Sequence, residues 1–175
     1  MIPVESDGFR FEFDSAINAF VFDEKDTKKS TFHGMPMKGV DVVAEFEEAY
    51  IYVEIKEYND ERASEYDINN SLSQMELEQK RKHFKWLKEY LKYKFRDSYL
   101  YRHAEGKVDK PIHYICLLTF DNALNSKFSK SLKQELPVGS KNIRWNISLA
   151  KSCQVLNVDR WNQCFPKWPV TRIAP

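Results

Sequence analysis

Between Gly39 and Tyr58 the chain reads GVDVVAEFEEAYIYVEIKEY, two apolar runs rich in Val, Ile and Tyr that carry charged residues inside them. Val40, Val42, Ala44 and Phe46 alternate with Asp41, Val43 and Glu45. In the second run Ile51, Val53 and Ile55 alternate with Tyr50, Tyr52, Glu54 and Lys56. A period of two is that of a half-buried β-strand, and the short Glu47-Glu48-Ala49 link favours a hairpin. Charges inside such strands are costly to desolvate, so they mark a site that needs them.

Glu54 and Lys56 share a face of their strand, about 7 Å apart at Cα, so a carboxylate and an ammonium reach the same small object. With Asp41 projecting from the neighbouring strand, the cluster offers hard oxygen ligands beside a cation, a set suited to Mg²⁺ or Mn²⁺. The expected ligands are Asp41, Glu54 and the backbone carbonyl of Ile55, with water and phosphate oxygens completing the shell. Lys56 would orient a bound water or stabilise charge developing on a phosphate, which makes Asp41, Glu54 and Lys56 the expected catalytic set for phosphodiester hydrolysis. The contrasting expectation is a solvated strand face, with Asp41 no more than a strand-entry acid.

At these residues the chain resembles the PD-(D/E)XK nuclease superfamily, whose signature is an acid on one strand and Glu-x-Lys on the next. Asp41, Glu54 and Lys56 match those positions, and Val40 stands where the family often has proline. Five segments are also similar to small bacterial members of that superfamily: FVFDE at 20–24, VEIKEY at 53–58, KFRDS at 94–98, HYICLLTFD at 113–121 and NVDRWNQCFPKWPV at 157–170. The resemblance implies an α/β, restriction-endonuclease-like fold with a central mixed β-sheet flanked by helices. It also implies a Mg²⁺- or Mn²⁺-dependent nuclease, with DNA favoured over RNA. Two alternatives stand beside it: a non-catalytic binding or assembly module on the same fold, and a nuclease subunit active only within a larger defence or DNA-processing complex.

A chain of 175 residues, 42% hydrophobic and with only five glycines, is expected to form one ordered domain over 1–175. No window approaches the roughly 20 apolar residues of a membrane span, and the amino terminus lacks the pattern of a secretory signal. Cys116, Cys153 and Cys164 are far apart, which points to buried structural thiols in a reduced, cytoplasmic protein. The four histidines share no ligand spacing, and His33, just before the acid strand, is the one placed to approach the site.

Around this centre, Phe9 to Phe13 alternates as a strand, while Ala16 to Asp23 fits either an edge strand or a short helix. Asp23 and Glu24 are candidate supplementary ligands, with surface acids the default. Residues 25–37 read as a loop, and 59–70 as a second, polar loop that either gates the site or passes over the surface. A long helix follows, roughly Ser73 to Arg102, with Leu77, Phe84, Leu87, Leu91 and Phe95 on one face. Arg81, Lys85, Lys88, Lys92 and Arg96 form a stripe beside that face, a candidate nucleic-acid contact. From Lys80 to Arg102 nine Lys or Arg against two acids give +7, leaving −6 for the rest of a chain whose net charge is +1. Trp86, Tyr90 and Tyr93 occupy another sector and are expected to pack on the carboxy-terminal segment, with base stacking the alternative.

His113 to Phe120 reads as an interior strand and Ala123 to Glu135 as a helix, ended by Pro137-Val138-Gly139. Asn142 to Leu149 and Gln154 to Val158 fit short strands or irregular structure, and Val158 to Phe165 a last helical turn. Trp161 and Trp168 form a carboxy-terminal clasp. The nucleic-acid partner, a homodimer or a partner protein, and no membrane, complete the expectations.

Overall fold

The structure is a computed structural model that describes residues 1–136, 138–139 and 143–173. Strands β1 (Ile2–Ser6) and β2 (Phe9–Phe13) form an antiparallel hairpin whose turn, Asp7-Gly8, takes positive φ at both residues (46° and 78°). Asp-Gly suits such a turn because glycine enters that region without a Cβ clash. Then come β3 (Asn18–Val21), β4 (Val42–Glu45), β5 (Tyr50–Lys56), the short helix α1 (Asp60–Ser64) and a 3₁₀ turn at Ile68–Asn70. Helix α2 (Gln74–Ala104) leads to β6 (Ile112–Leu118), α3 (Asn122–Glu135), β7 (Ser152–Leu156), α4 (Val158–Cys164) and β8 (Val170–Arg172).

The fold is α/β, with a five-stranded mixed sheet in the order β3-β4-β5-β6-β7 and a three-stranded antiparallel sheet in the order β1-β2-β8. Neighbours from β3 to β5 are antiparallel, while β5-β6 and β6-β7 are parallel, with α2 and α3 making the crossovers. One core lies between the large sheet and α2 and α3, where Tyr50, Tyr52 and Tyr114 meet Leu87, Leu91 and Phe95. A second lies between the other face and the small sheet, where Ile51, Val53 and Ile55 meet Phe9, Phe11, Phe13 and Trp161. The carboxy-terminal clasp closes it: Trp161 Nε1 donates to the Trp168 carbonyl (2.6 Å), and Trp168 Nε1 to that of Asp14 (3.2 Å).

β4 and β5 are covered on both faces, not half-buried as their alternation suggests, because the small sheet shields the second face. Its outer strands carry weak signals: β1 contains Pro3, and β8 spans three residues. The 16–23 ambiguity resolves as the edge strand β3, and the polar 59–70 segment is ordered into α1 and the 3₁₀ turn. Residues 143–149 form turns and bends and no strand; Pro137 and Asn142 lie outside the described residues.

α2 turns one row of residues inward. Lys80, Leu87 and Lys94 recur at intervals of seven, as do Leu91 and Ser98, and Phe95 and Arg102, and all are buried. Ser73 caps its start by accepting from the Glu76 N–H (3.2 Å). At its end Gly106 (φ 71°) permits Lys107 N–H to reach back to the Arg102 carbonyl (2.8 Å). No helix among the described residues is long and apolar enough to cross a membrane.

Candidate functional site

Asp41 sits one residue before β4, and its N–H continues the ladder by donating to the Val53 carbonyl (3.0 Å). The Val42–Val53 register therefore sets Asp41 across from Glu54, and side chains opposite each other in an antiparallel pair project to the same side. That side faces α2. Asp41 Oδ2 accepts from the Ile55 N–H (2.6 Å), which leaves Oδ1 directed at the helix.

From α2, Lys94 places its ammonium 3.4 Å from Asp41 Oδ1, 3.2 Å from Glu54 Oε2 and 3.6 Å from Asp23 Oδ2, and donates to the Gly39 carbonyl (2.5 Å). Its side chain is only 5% exposed, and that of Glu54 is wholly buried. Lys56 Nζ lies on the outer side, 3.8 Å from Glu54 Oε1 and 4.9 Å from the centre of the Tyr90 ring. A solvated strand face is thus overturned at Glu54. Asp23 joins the cluster through Lys94, whereas Glu24 is bound to Lys29 (2.8 Å) and turns away.

The segment before Asp41 is held by α2. Lys38 N–H donates to Asp97 Oδ2 (2.9 Å), Val40 N–H to Ser98 Oγ (2.7 Å), and Ser98 Oγ in turn to the Lys94 carbonyl (2.7 Å). A Cβ at Gly39 would meet the Phe22 ring at 3.1 Å, closer than an ordinary contact, so glycine lets the segment pass that ring without displacing it. Lys94, Asp97 and Ser98 all come from the KFRDS segment, so that short motif serves to aim the aspartate.

Electrostatically the site is short of positive charge. Burial pushes Glu54 well above the usual carboxylate range and the Asp41 charge adds to it, while Lys94 and Lys56 pull it back only in part. Burial likewise raises Asp41, against the opposing pull of Lys94 and the Ile55 N–H. Burial alone would lower Lys94, but Glu54 and Asp41 outweigh it and hold the ammonium firmly charged. The two tendencies conflict, since the lysine gains from an ionised Glu54 that burial disfavours; desolvation of a wholly buried carboxylate is the stronger cause, and Glu54 stands raised. Neither Glu54 oxygen receives an aligned hydrogen bond, although Lys94 and Lys56 lie within ion-pair distance.

Those orphaned oxygens, together with Asp41 Oδ1, are a hard donor set that fits a small divalent cation. Among the described residues no group of three His, Cys, Asp or Glu side chains is placed to hold a metal ion by itself, so water, backbone or substrate oxygens would complete its shell. Ile55 contributes its N–H to Asp41, and its side chain lies in the opposite core.

The basic stripe divides. Lys88 and Lys92 both bind Glu135 on α3 (2.9 and 3.1 Å), while Arg81, Lys85 and Arg96 are exposed and, among the described residues, have no ion-pair partner. Trp86 and Tyr93 do not pack on the carboxy-terminal segment: Trp86 is 56% exposed and stacks on Tyr90, because the clasp closes the opposite face of the sheet. His33 packs against Phe22 and Tyr101 (ring centres 5.5 and 4.9 Å). Cys116 and Cys153 are buried, and burial raises both thiols, Cys153 to about 12; Cys164 is exposed, contrary to expectation.

Lys94 is the site residue that sequence reasoning missed. It was hidden among nine cations of the same stretch, yet its spacing of three from Leu91 and seven from Leu87 places it on the apolar face. A charge at an inward helix position was the available signal. Compared with known protein families, curated proteins and solved structures, the chain finds no match.

Proposed function

We propose that Asp41, Glu54 and Lys56 form a divalent-metal centre that hydrolyses phosphodiester bonds of nucleic acid, on a fold of the restriction-endonuclease-like type. One observation carries the reading: Asp41 and Glu54 lie on the same side of adjacent strands, close enough for a single ammonium to touch both (3.4 and 3.2 Å). The β3-β4-β5-α1-α2-β6 order, with an acid entering β4 and Glu-x-Lys closing β5, supports the fold assignment. Mg²⁺ or Mn²⁺ would be held by Asp41 Oδ1, Glu54 and the carbonyl of Ile55. When bound, such an ion lowers the pKa of a coordinated water and offsets charge on a phosphate oxygen.

The chain's own residues have distinct tasks. Asp41 is aimed by the Ile55 N–H and by the α2 clamp on residues 38–40. Lys56, partly exposed beside Glu54, presents a fixed positive charge where a phosphate would arrive, and its ammonium would donate hydrogen bonds to a non-bridging or leaving oxygen. Lys94 keeps the buried carboxylates tolerable and would share them with a second cation while keeping its hydrogen bond to the Gly39 carbonyl. Incubation with DNA and RNA and either metal ion should give cleavage, DNA preferred; absence of cleavage, or a Lys56→Ala protein that cuts equally well, would remove the assignment.

The position of Lys94 also favours a second reading. An ammonium already seated between Asp41, Glu54 and Asp23 is the counterion a metal-free scaffold would use. In that case the charges specify the fold, and the chain is a binding or assembly module or depends on partner subunits for catalysis.

A further inference from the structure

Beside the carboxylates, a groove of about 480 Å³ runs between the end of β5, α1 and α2. Tyr58 and Tyr66 line it on one side, Trp86 and Tyr90 on the other, and Lys56 and Arg62 contribute cations. Of its two acids, Glu57 pairs with Arg172 (2.7 Å), and Glu65 lies 3.6 Å from His83 Nδ1. Among the described residues Arg62 has no ion-pair partner. The groove therefore sets aromatic surface beside two cations, Arg62 and the Lys56 that it shares with Glu54.

Trp86 is the unusual member. A wholly buried tryptophan needs no further role, but this indole is 56% exposed and rests on Tyr90 with ring centres 5.4 Å apart and planes 21° from parallel. One broad π-face is thus supported from behind and open in front. Tyr90 in turn has Lys56, Lys94 and Lys38 ammonium groups 4.9 to 5.8 Å from its centre, so the platform is anchored in the cation cluster of the carboxylate site.

We infer that this groove takes an unpaired nucleotide of the substrate strand, its base stacked on Trp86 and its phosphate drawn to Lys56 and Arg62. The inference rests on the phosphodiesterase reading above, and narrows the substrate to single-stranded or locally opened nucleic acid. Inside a duplex both faces of a base are covered, so an indole platform has nothing to grip until the base is unstacked. Every base has a π-face, which makes such a platform tolerant of sequence. Lys56 lines the groove and also lies 3.8 Å from Glu54 Oε1, so the phosphate adjoining the stacked base arrives at the carboxylates.

Binding is measured by fluorescence anisotropy in EDTA, so that no cleavage intervenes, with a labelled oligothymidylate and a labelled duplex. Trp86→Ala should weaken oligothymidylate binding about five- to 100-fold and leave duplex binding unchanged, with Trp86→Phe recovering part of the loss. With the other exposed indole, Trp145 (38% exposed), replaced by Phe, the oligonucleotide should quench tryptophan emission, and Trp86→Ala should remove that quenching. Equal weakening on both substrates, no weakening, or no oligonucleotide binding overturns the inference, as does a proline-rich peptide that competes for the groove where the oligonucleotide does not. Trp86-dependent binding without cleavage in Mg²⁺ would sink the nuclease reading and leave the stacking site; cleavage indifferent to Trp86 would do the reverse.

Discussion

Helix α2 takes part twice in the same arrangement, two lysines around one glutamate, with opposite outcomes: it supplies both lysines at the surface, but at the site one comes from α2 and the other from β5. At the surface Lys88 and Lys92 meet Glu135, whose side chain is 34% exposed, and their hydrogen bonds hold its carboxyl below the usual range. At the site Lys94 and Lys56 meet Glu54, and burial lifts that carboxyl well above it. The lysines are equal in number; solvent differs, and Asp41 sets a second anion beside Glu54. Near water a lysine pair suffices to favour the anion, whereas inside the protein the lost hydration exceeds what two ammonium groups restore. Under the proposed reading, that unmet demand for positive charge is what would suit the second cluster, and not the first, to a divalent ion.

The sharpest way to break that contrast is to remove one lysine from each. Lys94→Met leaves Asp41 and Glu54 buried beside a single partly exposed ammonium, and should cost about 3–5 kcal/mol of stability, seen in denaturant unfolding. Mn²⁺ should return much of that loss by binding the native state, whereas an unchanged midpoint in metal would separate the carboxylates from any cation site. Lys56→Ala should fold nearly normally and lower kcat by roughly 100- to 1,000-fold, the range for one donor to developing charge, in a steady-state cleavage assay.

The two glutamates should also respond to pH in opposite senses. Glu54 binds its proton more tightly folded than unfolded, so its contribution is present below the ordinary value of 4.5 and is lost as pH rises through the raised one. Glu135 releases its proton more readily when folded, so its contribution is present above 4.5 and is lost as pH falls through the lowered value. Thermal melts across pH should show Glu54→Gln flattening the decline above 4.5 and Glu135→Gln flattening the rise near it; a shared direction would refute the contrast. The smallest effect is expected from Glu135→Gln at neutral pH, less than about 1 kcal/mol for an exposed pair. It frees Lys88 and Lys92, so the salt dependence of oligonucleotide binding should steepen if the stripe touches phosphate.

Much of the architecture was legible because period and length survive in local sequence. The hairpin, the long helix, the interior strand at 112–118 and the tryptophan clasp all follow from patterns within a few residues. The small sheet was not, since β1 and β8 come from opposite ends of the described chain and meet only through β2. At the site, the acid and the Glu-x-Lys were visible as charges in apolar strands. Asp23 was a candidate that only the fold separates from Glu24, Lys94 required three-dimensional convergence, and the partnering of Lys88 and Lys92 required knowing where α3 lies. Trp86 was misplaced for the same reason: its neighbours belong to α2 itself and to the turn after β5, not to the carboxy terminus.

The central claim is tested most directly by titrating Mn²⁺ calorimetrically into the wild-type protein and into Asp41→Asn and Glu54→Gln. Saturable binding to the wild type that either substitution abolishes is the predicted result. No binding to the wild type, or binding that both variants retain, would contradict it and leave Lys94 as the permanent cation of a metal-free fold.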